Sequence, residues 1–147
     1  MRSVVASERP ALRTSRWGAC FCLAAGAGDS ATGALLLLSP SVALGFLGIV
    51  DVGSHAVYLR FIGVFVCGVG LAYFAPWLLP CWRGDQGRLM AMIELTAFFR
   101  LAVALFVAVA CAVGALASPW LTVGVFDAGV ALVQLTMRAN GVFDRVS

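Results

Sequence analysis

LMAMIELTAFFRLAVALFVAVACAVGA, residues 89–115, is the stretch on which the fold turns. Its 27 residues carry two charged side chains, Glu94 and Arg100, in an otherwise apolar run. A helix needs about 17–25 such residues to cross hydrocarbon. Nothing in the run alternates polar and apolar residues over a barrel-strand length, so a strand reading fails.

Three further apolar runs lie outward from it, at residues 17–38, 56–79 and 119–138. Ser39-Pro40 stops the first, and Pro119-Trp120 opens the last. The expected fold is an all-α integral membrane bundle of four transmembrane helices. Between the first two spans, SVALGFLGIV (residues 41–50) is apolar but too short to cross. It reads as a short interfacial or re-entrant segment that could roof whatever the helices enclose. The organisation expected is a basic cytoplasmic arm at 1–16, the membrane domain at 17–138 and a cytoplasmic tail at 139–147.

Composition agrees. The 147 residues are 62% hydrophobic and 12% charged, against about 45–50% and about 25% in soluble domains. All ten basic residues are arginines, and the formal net charge is +3. They sit in flanks and turns, so they report topology and not a nucleic-acid partner. Arg2, Arg9, Arg13, Arg16, Arg83, Arg88, Arg138 and Arg145 fall on one side of the four spans. The positive-inside rule then places both termini in the cytoplasm, with a cell inner membrane as the expected location. Trp17, Trp77, Trp82 and Trp120 fall at span ends, where indole rings favour the interface. The arginines before WGACFCLAA and Ala25-Gly26-Ala27 also resemble a secretory signal. The apolar run continues through GALLLL, which argues for a span instead.

Five charged residues lie within or at the edges of the spans: Asp29, Arg60, Glu94, Arg100 and Asp127. A charge at the centre of a spanning helix costs about 2.5–3.5 kcal/mol on insertion scales, so it faces a partner or a cavity. At a rise of about 1.5 Å per residue, Asp29, Arg100 and Asp127 lie about 18, 16 and 15 Å from the cytoplasmic ends of their helices. They share a level near the midplane. Arg60 sits close to the outer end of its helix and can snorkel outward or reach down to Asp29.

Each charge lies on a stripe of small residues. The stripes are Cys22, Gly26, Asp29 and Gly33; Arg60, Gly63, Cys67 and Gly70; Ala97, Arg100 and Ala104; and Gly124, Asp127, Ala131 and Gln134. Small residues let helices approach closely in lipid. Asp29, Arg60, Arg100 and Asp127 are therefore expected to form one intramembrane polar cluster. It is either an ionic network that fixes helix register or a site for a substrate, a proton or a headgroup. Glu94, on another face of its helix, is expected to pair with Gln134 and is the better proton-handling candidate.

His55 is the sole histidine, so two-histidine haem ligation within the chain is excluded. It is a candidate axial ligand for a haem or chlorin, or an ordinary interfacial residue. Cys20 and Cys22 point to different helix faces, which disfavours a shared metal or disulfide. The five cysteines are expected as packed free thiols. No metal site is expected. The chain carries no nucleotide fingerprint, phosphate-binding loop or Ser–His–Asp set, which points away from an enzyme acting alone.

The first span reads GDSATGALLLLSP, the second opens on an arginine in LRFIGVFVCGVGLAYF, and the third carries FFRLAVALF. With the four-span total, this is similar to the DoxX-like group of small four-helix membrane proteins, over about residues 17–137. The resemblance implies a four-helix membrane fold. The group includes subunits associated with quinone-linked oxidoreductases and assembly factors, and it has no shared catalytic residue to carry over. The leading expectation is a non-catalytic accessory or assembly subunit of a larger membrane complex, respiratory or photosynthetic. A small transporter or lipid- or quinone-binding protein using the midplane cluster is the alternative, and a quinone-linked oxidoreductase subunit is a third. No resident cofactor is expected, although quinone, lipid or a pigment would suit the class. Partners would be membrane lipids, other membrane-protein subunits or further copies of the chain.

Overall fold

A computed structural model describes residues 15–49, 56–82 and 85–144. Among them the chain is helical, with no strand. In order, the elements are α1 (Arg16–Leu38), α2 (Pro40–Gly45), α3 (Ala56–Ala72), α4 (Ala75–Leu78), α5 (Gln86–Ala112), a 3-10 turn (Ser118–Trp120) and α6 (Leu121–Ala139). Three helical segments are long and apolar enough to cross a membrane: α1, α5, and α6 with its preceding turn. The fourth apolar helix, α3, is shorter at 17 residues.

Local chemistry sets these bounds. Ser15 caps α1, its Oγ accepting from Gly18 N at 3.0 Å. Asp85 caps α5, its carboxylate accepting from Arg88 N at 3.1 Å. Such caps satisfy amides that a helix start leaves unpaired. Helix α1 ends at Ser39, whose N–H still reaches Leu35 O, and Pro40 opens α2. Helix α5 ends in a left-handed Gly114 (φ 74°), which lets Ala115 N reach back to Ala110 O at 2.8 Å. The same turn closes α6, where Gly141 (φ 69°) lets Val142 N reach Met137 O at 3.0 Å. A glycine adopts that conformation without the cost a Cβ would bring. The second apolar run, continuous in sequence to residue 79, breaks at Tyr73-Phe74 and resumes as α4, with Pro76 in its first turn.

The long helices pair as two antiparallel hairpins, α1 with α3 and α5 with α6, and close backbone approaches concentrate within each pair. The first pair is joined by a glycine seam. A Cβ on Gly33 would lie 2.6 Å from Gly63 O, and one on Gly63 would lie 2.8 Å from Gly33 O. One turn pair further along, a Cβ on Gly70 would lie 2.8 Å from Gly26 O. The second pair sits less tightly: a Cβ on Gly124 would lie 3.3–3.4 Å from the Val107 side chain and Ala104 O. The glycines of three small-residue stripes, Gly26 and Gly33, Gly63 and Gly70, and Gly124, thus face a neighbouring helix.

Two apolar clusters close the ends. At one end, Cys22, Tyr73, Leu89, Met92, Ile93 and Phe143 are buried together. At the other, α2 and the turn after it supply Leu44 and Ile49, which pack on Leu59 with Trp120 beside them. Residues 140–144, which follow α6, fold back under the bundle, and Phe143 is fully buried. Outward, Phe98, Leu105 and Phe106 are more than 60% exposed. A soluble monomer rarely shows a contiguous apolar patch beyond a few hundred Å², whereas lipid covers such a surface without cost.

Replacing Gly33 by Ala is expected to cost about 1–3 kcal/mol, because the added methyl meets backbone that cannot yield. Gly28 faces open space, so Gly28→Ala is expected to be neutral or to gain up to about 1 kcal/mol of helix propensity. Thermal unfolding of the purified protein in detergent, read by size-exclusion chromatography, compares them. Equal behaviour of the two variants would remove the seam as the basis of the α1/α3 pair.

Candidate functional site

Asp29 lies two-thirds of the way along α1, Arg100 at the middle of α5, and Asp127 in the second turn of α6. The arginine side chain joins all three. Its Nη1 donates to Asp127 Oδ1 at 2.6 Å, and its Nη2 donates to Asp29 Oδ2. Arg100 is only 5% exposed, so the guanidinium is held by these carboxylates and not by solvent. One arginine thus ties the first hairpin to the second.

A second set of polar groups borders this triad. Tyr73, just past α3, sits beside the Arg100 guanidinium. Its hydroxyl donates to Gln134 Oε1 at 2.8 Å. Gln134, fully buried on α6, donates from Nε2 to Thr96 Oγ1 at 2.7 Å and to Ile93 O. Thr96 in turn donates to Met92 O, 2.9 Å away. Every hydrogen-bonding group of the Gln134 amide faces a partner in this layer, as a buried amide requires. Three buried side-chain polar atoms have no partner among the described residues: Arg100 Nε in the triad, Ser30 Oγ at the α1/α3 seam and Gln86 Oε1 at the start of α5.

The structure brings together Asp29, Arg100 and Asp127 but leaves Arg60 outside. Arg60 is exposed on α3 and makes no ion pair among the described residues. The cause is phase. Leu59, not Arg60, continues the inward line of Gly63 and Gly70, and it is the buried residue of that turn. The expected neutral set of two arginines and two aspartates is therefore a triad with two carboxylates for one guanidinium. Its formal charge is −1 when both are ionised.

The expected Glu94–Gln134 pair is also corrected. Glu94 is exposed and accepts from Arg138 Nε at 3.3 Å, while Gln134 is turned to Tyr73, Thr96 and Ile93. Successive helix residues point about 100° apart, so the residue after inward-facing Ile93 turns away from the core. Arg138 stands one turn beyond Gln134 and meets it there. The Glu94–Arg138 pair is solvent-facing, and such pairs contribute about 0–1 kcal/mol.

Tyr73 and Thr96 belong to this layer although nothing in their own residue type marks them in the sequence. Extending the Gly63–Gly70 stripe by three residues reaches Tyr73, and Thr96 lies one turn before Arg100. His55 lies outside the described residues. All five cysteines are free, with Cys22 buried and Cys20 and Cys81 exposed. Among the described residues no three His, Cys, Asp or Glu side chains converge to hold a metal ion. Comparison of the chain with protein-family models, with curated proteins and with solved structures returns no match.

Charge arithmetic orders the variants. Arg100→Leu leaves two carboxylates facing each other without their cation, and loss of one partner of a buried pair costs about 3–5 kcal/mol. Asp29→Asn or Asp127→Asn leaves a neutral arginine–aspartate pair and an amide able to accept the same bond. Folded yield and melting temperature in detergent are expected to fall far more for Arg100→Leu than for either asparagine variant. The reverse order would mean that the triad does not hold the hairpins together.

Proposed function

We propose that this chain is a four-span protein of a cell inner membrane, with both termini cytoplasmic, acting as a non-catalytic accessory or assembly subunit of a larger membrane complex. Three spans are the long apolar helices, and α3 is the fourth. At 17 residues, α3 reaches the lower limit of about 17 for a span, and α4 extends it. Helix α2 with the turn after it is the short interfacial segment on the outer side. Arg16, Arg88 and Arg138 gather at the end where Ser15 and Gln86 meet the chain after α6, which supports that end as the cytoplasmic one. The DoxX-like relation belongs to this same reading.

The observation that carries it is the Arg100 bridge. The midplane charges are bound to one another across the two hairpins, so the polar interior acts as a fastener. What remains for interaction is the outer surface: short loops and helix faces that meet lipid or other helices. Native mass spectrometry of the protein extracted in mild detergent tests this reading. The expected result is a defined assembly with other membrane proteins. A lone monomer under every extraction condition would end the accessory-subunit reading.

One feature favours the alternative of a small transporter or a lipid- or quinone-binding protein. The triad has two carboxylates for one arginine, and the buried Arg100 Nε lacks a partner among the described residues. That leaves hydrogen-bonding capacity for a small polar group. On this reading Asp127→Asn abolishes transport or ligand retention while the protein stays folded in the membrane. A copurifying quinone or lipid in the same mass spectra would move the triad to the centre of the mechanism.

A further inference from the structure

We propose that the Asp29–Arg100–Asp127 triad is a proton-binding site, which holds one proton on its pair of carboxyl groups at neutral pH. Three observations meet at this point. The triad joins two carboxylates to one guanidinium, so its charge is −1 when both acids are ionised. It lies about 15–18 Å from the cytoplasmic ends of its helices, far from bulk water on either side. Arg100 is 5% exposed, and its buried Nε donates to no acceptor among the described residues. That N–H is free to hold a small acceptor beside the carboxylates, such as the water that delivers a proton. The inference rests on the membrane-spanning reading of the helices and is independent of whether the chain is an accessory subunit or a transporter.

Among the described residues no further charged side chain meets the triad. Asp29 comes from α1, Arg100 from α5 and Asp127 from α6, and the turn after α3 adds the neutral Tyr73 hydroxyl beside the guanidinium. Helices α2 and α4 contain no ionisable residue. On α3, Arg60 is exposed, and Leu59 is the buried residue of its turn. On α5, Glu94 is turned outward to Arg138. Of the thiols on the first hairpin, Cys22 lies in the cluster at the base and Cys67 backs onto Gly33. No three metal-ligating side chains converge among the described residues, so a proton is the cation that the site fits.

An uncompensated charge inside a spanning bundle is costly, and two carboxylates that share one site retain a proton for that reason. Each aspartate gives one oxygen to the arginine, Asp29 Oδ2 to Nη2 and Asp127 Oδ1 to Nη1. Asp29 Oδ1 and Asp127 Oδ2 are left to carry the proton. Uptake forms one O–H bond on a carboxylate oxygen, converts hydronium to water and brings the triad from −1 to neutral. One carboxylate then pairs with Arg100 as an ion. The other, as an acid, still accepts from the guanidinium and gains a donor of its own.

Infrared spectroscopy of the full chain in an alkyl maltoside, which has no carbonyl of its own, reads this proton directly. At neutral pH the solvent-reached Asp85, Glu94 and Asp144 are ionised, so a carboxylic-acid carbonyl band is expected from the triad alone. Asp29→Asn and Asp127→Asn are each expected to abolish the band, because each leaves a neutral arginine–aspartate pair that needs no proton. Asp144→Asn is expected to leave it unchanged. Loss of the band in both triad variants separates a proton set by charge balance from one set by the burial of a single aspartate, which only one variant would remove. Persistence of the band in either triad variant would overturn the proposal. So would its absence from the unaltered protein, a result that needs no variant to fold. Retention of the chain in membranes after carbonate extraction scores the membrane-spanning reading separately.

Discussion

A guanidinium held between carboxylates from two different hairpins is the constraint on which the rest of this bundle depends. In water two such ion pairs would add little, because solvent competes for every donor. In a dry interior the cost of removing three charges from water is several kcal/mol per ion, and only close pairing offsets it. The planar fork of arginine suits this geometry, since Nη1 and Nη2 diverge to Asp127 and Asp29. A lysine would offer one compact charge to two separated acceptors. The bridge also sets register. Sliding α1 by one turn moves Asp29 about 5.4 Å away from Arg100, which strands a charge in the core.

The two hairpins reach close packing by different means. In α1/α3, glycine meets backbone directly, so the pair is held by many small contacts over a continuous seam. In α5/α6, side chains such as Val107 stand between the backbones, and the buried Gln134–Thr96 contact adds a polar tie. Between the hairpins the contacts are mainly side-chain ones: the Arg100 bridge, the Tyr73–Gln134 bond and the aromatic cluster at the base. Lipid offers helices no hydrophobic drive to associate, because its tails are as apolar as leucine. Polar and aromatic contacts therefore carry an unusual share of the association between hairpins.

Much of this architecture is legible in the residues alone. Long apolar runs, with the Ser39-Pro40 stop and the Pro119-Trp120 start, mark α1, α5 and α6, because length and composition suffice for that inference. Equal depths on separate helices bring Asp29, Arg100 and Asp127 to one level, which needs only the helical rise. What fails is the rotation of a helix about its axis near its ends. Arg60 and Leu59 are neighbours, and a stripe drawn at three-to-four spacing accepts either, yet only one faces in. Depth alone matches Glu94 to Gln134, whereas rotation sends it to Arg138. The break at Tyr73 and the return of Phe143 to the core arise from tertiary packing. In the sequence Phe143 is a single aromatic in a short mixed segment that reads as a tail.

Tyr73 is where the polar and apolar halves of the interior meet. Its ring belongs to the cluster that contains Phe143, and its hydroxyl belongs to the layer that contains Gln134 and borders Arg100. A side chain in this position cannot shift alone: moving the ring displaces the hydroxyl from Gln134, whose other bonds hold Thr96 and Ile93. Coupling of this kind needs contiguous groups with alternative arrangements, and rigid helices with adjustable side-chain contacts between them provide such groups. Within each hairpin the backbones approach closely, whereas the contacts between hairpins are mainly made by side chains.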